Sequence, residues 1–210
     1  MRASGSLALG ALLLASTAAS AQVAPEPSMT TADLYGSHLI QAHFAVPQNQ
    51  FLLGGMLRFP LTDDFDLGAR AGVGFVEGSD DYVWIGGDGR YALIAQQLTG
   101  AGPSYNLTFH TGLGVVTGSG LTRWKIPVGF PTGLTFGLVR GSLEIYTHPR
   151  LELGFQSGAG DDSDLAVTID LGGYWRTGSA LGVIAAIRFG DGIFGEGDRG
   201  VFGAGISARF

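Results

Sequence analysis

The stretch VFGAGISARF, residues 201–210, alternates without a break. Phe202, Ala204, Ile206, Ala208 and Phe210 fall on one face, and Gly203, Gly205, Ser207 and Arg209 on the other. Period two is the mark of a β-strand, because successive side chains leave a pleated backbone on opposite sides. One face is apolar with an aromatic at each end; the other is small or charged. That combination suits a strand with lipid on one side and a polar lumen on the other.

The same alternation repeats upstream and predicts ten strands between about residue 38 and the end of the chain. Phe65, Leu67, Ala69, Ala71, Val73 and Phe75 oppose Asp66, Gly68, Arg70, Gly72 and Gly74. Leu151, Leu153 and Phe155 oppose Arg150 and Glu152; Leu165, Val167, Ile169 and Leu171 oppose Asp164, Thr168 and Asp170. A one-residue slip would carry every charge to the apolar face, so register is strongly specified. Eight residues at about 3.3 Å, tilted by about 40°, cover roughly 20 Å, close to the apolar band of a membrane barrel. In a soluble sandwich or lipocalin-like barrel the apolar faces would point inward. Here the apolar face runs through all ten segments and is capped by aromatics, as at Phe51 and Phe59. The expected fold is all-β, a transmembrane antiparallel up-and-down barrel of ten strands. Eight is the alternative if the first segment and the one holding Pro127 and Pro131 do not count. Each of those prolines removes a ladder donor, so a bulge or weakened pairing is expected there.

Composition agrees. Mean hydropathy is +0.26, yet no apolar run long enough for a membrane helix follows the first residues. Glycine is 36 of 210 residues, far above the usual ~7%, with no collagen period. Net charge is −6, which argues against nucleic acid as a partner. Met1-Arg2, the apolar run Leu7–Ala15 and Ala19-Ser20-Ala21 predict a cleaved signal peptide over 1–21. Residues 22–37 form a Pro-rich polar lead-in, expected to be short and periplasmic, and 38–210 the barrel domain. The absence of cysteine suits an oxidising compartment.

Across nearly all of the mature chain the sequence resembles small outer-membrane β-barrel proteins, the group of the opacity proteins and the membrane domain of outer membrane protein A. The likeness is one of architecture rather than of a sharp motif. It implies an outer-membrane location in a Gram-negative-type bacterium; the chain is expected to be a monomer in outer-membrane lipid. It also implies help from the barrel-assembly machinery, with Phe202, Ile206 and Phe210 marking the terminal strand. It does not imply one activity, since such barrels serve as anchors, pores, adhesins and enzymes.

Any chemistry belongs to the polar face. By alternation the lumen receives Arg58, Asp66, Arg70, Asp88, Arg90, Lys125, Glu144, His148, Arg150, Glu152, Asp170, Arg176 and Arg188. Both signs recur on neighbouring strands, so a network of paired charges filling a narrow barrel is the leading reading. The alternative is a charged lining of a narrow path for small polar solutes, which the many lumen glycines favour if they leave space. A rim enzyme is a third reading. Glu144, His148 and Glu152 share one strand face, but four residues along a strand is ~13 Å, beyond hydrogen-bond reach. No catalytic, cofactor or metal constellation emerges, and the chain is expected not to be an enzyme and to need no cofactor. Asn106-Leu107-Thr108 matches a glycosylation acceptor but lies inside a predicted strand.

Overall fold

The computed structural model describes residues 28–210 apart from 35, 99, 101, 119, 159–161, 179 and 191–199. The expected signal segment lies outside the described residues. The strands are β1 Leu39–Val46, β2 Gln50–Thr62, β3 Phe65–Val76, β4 Tyr82–Gln97, β5 Ser104–Gly118, β6 Leu121–Gly129, β7 Thr132–Leu138, β8 Gly141–Ser157, β9 Asp162–Thr177, β10 Leu181–Phe189 and β11 Val201–Arg209.

Every paired strand is antiparallel to its neighbour, and β11 pairs with β1, so the sheet closes on itself and leaves no edge. β6 and β7 are two halves of one barrel strand. Both pair with β5 on one side and β8 on the other. The barrel therefore has ten strands, not eight. The ladder is interrupted at Phe130 and Pro131, as the prolines lead one to expect. No bulge forms there: the pairings His110↔Gly129 and Leu107↔Thr132 keep one register across the gap. Pro131 still accepts through its carbonyl from the Thr108 N–H, at 2.9 Å. The bulges lie elsewhere, at Pro60/Thr62 and at Ala92/Ile94.

Both termini of the barrel lie at one end, where Phe210 N–H donates to the His38 carbonyl at 3.1 Å. At the opposite, distal end the β1–β2 connection turns tightly at Asn49, with φ 57°, a left-handed conformation that Asn tolerates better than most residues.

The outward face is apolar all round. Leu53, Leu57, Leu67, Ile85, Leu151, Val167, Leu171, Val183 and Ile206 stand exposed on neighbouring strands. A soluble protein does not leave so continuous an apolar surface in water. A distal aromatic row runs over Phe202, Phe44, Phe51 and Phe75, with ring centroids 6.1–6.5 Å apart. At the terminal end Phe210 stacks on His38 at 5.6 Å, and Phe59 meets the same ring edge-on. These rows are the two girdles of a membrane-spanning barrel.

Candidate functional site: the barrel lumen

Inward residues form two buried apolar clusters. At the distal end Ala45, Leu52, Tyr82, Trp84, Val116, Ala166 and Val201 form one buried apolar cluster. A second cluster, on the β8–β10 and β1–β2 side, joins Leu39, Met56, Tyr146, Tyr174, Ile184 and Ala186 with Met29.

Lumen glycines make room for these rings. A Cβ on Gly74 would lie 2.2 Å from Tyr82 Cζ, one on Gly172 2.4 Å from Tyr146 Cζ, and one on Gly182 2.6 Å from the Tyr174 hydroxyl. Gly74 and Tyr82 face each other across the ladder, as do Gly72 and Trp84, and Gly172 and Tyr146. At these positions aromatic side chains from adjacent strands take the space that the glycines leave.

The charges share the interior with these clusters. All thirteen sequence-predicted lumen residues face inward, as their strand parity requires. Ten are buried, and Arg70, Lys125 and Arg176 are partly so. They gather into two groups. In the first, on β2–β4, Arg58 pairs with Asp66 at 2.6 Å and also with Asp88. Arg90 grips Asp66 at 2.5 Å, and Arg70 pairs with Asp88. In the second, Glu152 gathers Arg150 at 2.7 Å, Lys125 at 2.8 Å and Arg188 at 3.1 Å, while Arg150 also reaches Asp170 at 2.9 Å. Each group holds three cations against two carboxylates. Charges buried this way are tolerable only because each has partners; removing one would strand the others.

Sequence reasoning did not find the third component. Ser28–Asp33, part of the expected lead-in, runs inside the barrel, with Ser28, Met29, Thr30, Thr31 and Ala32 all buried. Glu144, which has no cation bridged to it among the described residues, accepts instead from the N–H groups of Ala32 and Asp33. Arg176 pairs with Asp33 at 2.7 Å. His43 and His110 are further lumen residues outside the predicted set. Both are buried, His43 beside Trp84 and His110 with its ring edge-on to His148 at 4.9 Å.

Ser28, His148 and Asp170 converge in a way that invites comparison with a nucleophile, a base and an orienting acid. Ser28 Oγ lies 2.7 Å from His148 Nδ1, but Asp170 Oδ2 approaches that same nitrogen, at 3.9 Å. A relay needs the acid and the nucleophile on opposite ring nitrogens. All three residues are buried, Ser28 at 3% exposure. Glu144 and His148 do not meet, as their spacing predicts. Among the described residues no cluster of three metal-ligating side chains occurs. Asn106 is buried within β5, unavailable as a glycan acceptor.

A cavity of about 80 Å³ remains beside Ser28, Arg70, Asp88, His110, Lys125 and Glu152. That is room for a few waters.

No protein-family model matches the sequence, and no curated protein matches it. Among solved structures it is similar to the N-terminal β-barrel domain of Pseudomonas aeruginosa OprF, at 16% identity over 83% of this chain and 98% of that one, with a TM-score of 0.36. It is similar to the β domain of the Bordetella autotransporter Brka, at 12% identity over 83% and 99%, TM-score 0.48. LpxR from Salmonella typhimurium aligns at 12% identity over 85% and 86%, TM-score 0.47. The fold rests on the chain's own geometry. By its closed ten-strand ladder and its apolar belt between two aromatic girdles, it is a transmembrane β-barrel of the outer-membrane type.

Proposed function

We propose that this chain is an outer-membrane barrel with a structural or surface-interaction role, and that its lumen does not conduct. One observation carries the reading: buried, mutually paired charges and aromatic rings stacked over glycines occupy much of the interior. An interior crossed by paired ions and aromatic rings leaves little room for a hydrated solute. The protein would be a monomer in outer-membrane lipid, exported by a cleaved signal peptide and inserted by the assembly machinery. Its termini would then be periplasmic and the Asp- and Glu-bearing connections at the distal end would face outward. Neither an enzyme activity nor a cofactor belongs to this reading, and the trio of Ser28, His148 and Asp170 lacks the geometry of a relay.

A narrow channel for small polar solutes is the second reading. The cavity bordered by the partly exposed Arg70 and Lys125 favours it. Swelling of proteoliposomes in glycine or a pentose separates the two. Swelling no faster than protein-free vesicles supports the closed barrel; solute-dependent swelling supports the channel. Cell fractionation tests the location: protein in the outer-membrane fraction is expected, and a folded soluble pool would rule the location out.

A further inference from the structure

The lumen reads Ser28–Asp33 largely through its backbone. Glu144 Oε1 accepts from the N–H groups of Ala32 at 2.8 Å and Asp33 at 3.0 Å. Thr108 Oγ1 donates to the Ala32 carbonyl at 2.5 Å, and Arg90 Nη1 to the Thr31 carbonyl at 2.8 Å. Asp170 Oδ2 accepts from the Ser28 N–H at 3.3 Å. Buried groups that hold a backbone this way are costly to leave unpaired, so the wall is built around an occupant.

The steric fit agrees. At Gly133 a Cβ would stand 3.2 Å from that of Ala32, so the wall is thinned where the segment passes. Met29 sits at φ 48°, a left-handed conformation that a non-glycine residue keeps when its surroundings impose it. None of these contacts requires that the segment be covalently joined to β1.

We propose that the lumen is a binding site for a short peptide, and that Ser28–Asp33 is its tethered occupant. The class of ligand follows from the wall. It is a hexapeptide of small or hydroxyl-bearing residues that ends in an acid, with one Met-sized apolar side chain for the cluster around Met56 and Tyr146. Arg176 receives the terminal acid, and Glu144 and Asp170 receive backbone N–H groups. The site stands whether or not the intact barrel conducts.

The test uses the full-length protein and a fluorescent peptide of sequence Ser-Met-Thr-Thr-Ala-Asp, followed by anisotropy. In wild type the tethered segment holds the site, so binding is weak. Ala32→Trp is too large for the Gly133 gap; it displaces the segment and leaves every wall residue in place. That variant should bind the peptide saturably and at least ten-fold more tightly than wild type. Adding Glu144→Gln in the same chain should weaken binding ten-fold or more, and a peptide whose final Asp is replaced by Lys should bind at least ten-fold more weakly, because Arg176 then opposes it. Equal binding to wild type and variant, or equal binding of the Lys-ending peptide, overturns the proposal. If Ala32→Trp does not fold, Asp33→Lys loosens the segment more gently by opposing Arg176. Several-fold tighter peptide binding than wild type supports the site, and no change overturns it.

Discussion

Trp84 occupies the space that a side chain on Gly72 would need. The two residues face each other across β3 and β4, and a Cβ on Gly72 would lie 2.5 Å from Trp84 Cζ2 and 2.3 Å from the Leu53 carbonyl oxygen. The second contact is with backbone and cannot relax by a rotamer change. Gly72→Val is therefore expected to destabilise the barrel by about 1–3 kcal/mol, the usual range for overpacking. Reversible urea unfolding from liposomes measures it. An unchanged midpoint would mean that the distal lumen has free volume.

The two faces of β8 separate lipid from lumen. Leu151, half exposed on the outward face, should cost about 2–4 kcal/mol on replacement by Arg if it faces the bilayer midplane. Arg150→Leu disturbs a different medium, since Arg150 bridges Glu152 and Asp170. Thinner lipid should reduce the loss in Leu151→Arg and leave that in Arg150→Leu unchanged. The same lipid dependence in both variants would contradict the assigned faces.

Arg58 holds Asp66 and Asp88 together from 1% side-chain exposure. Arg58→Met should cost about 3–5 kcal/mol, the range for breaking a buried pair from one side. Introducing Asp66→Asn and Asp88→Asn into the same chain should deepen that loss, because Arg90 and Arg70 then lose the carboxylates that they pair with. Denaturant midpoints of wild type, Arg58→Met and the triple variant provide the check, and full recovery in the triple variant would mean that Arg70 and Arg90 do not depend on the two carboxylates.

Phe210 is 74% exposed and touches the barrel through the His38 ring and one backbone bond. Its contribution to the folded state is therefore about 1 kcal/mol. Phe210→Ser should lower the fraction of protein that reaches the membrane folded, while molecules that do fold keep nearly the wild-type unfolding midpoint. Pulse-chase of heat-modifiable mobility reads the first quantity. A normal assembly yield would remove Phe210 from any role in insertion.

The faces of this barrel were legible because alternation is a property of the backbone. Arg58, Asp170 and Arg188 had to point inward once Phe59, Ile169 and Phe189 pointed out. Ten strands were legible for the same reason, since the pattern continues through Trp124 to Phe136 despite Pro127 and Pro131. The packing was not. That Gly74 lies under Tyr82 depends on cross-strand register, which the turn at 77–81 sets; counting outward from that turn would have found the pair. The seat of Ser28–Asp33 carries no local signal, because a polar irregular segment looks alike in water and in a polar lumen. Its one trace was Glu144, an inward carboxylate with no cation opposite it on either neighbouring strand, where Thr135 and Tyr174 stand. The two-sided contacts of Arg150 were likewise invisible as pairs, although the alternation had placed Glu152 and Asp170 on the same interior surface.

Single-channel recording in planar bilayers tests the closed lumen most directly, with wild type and Arg150→Ala side by side. Arg150 both neutralises Glu152 and Asp170 and occupies the interior next to the cavity at Ser28. Wild type should show no steady current, and Arg150→Ala should show openings together with a lower unfolding midpoint. A wild-type barrel that conducts steadily, with Arg150→Ala changing only ion selectivity, would contradict the closed lumen and establish the channel in its place.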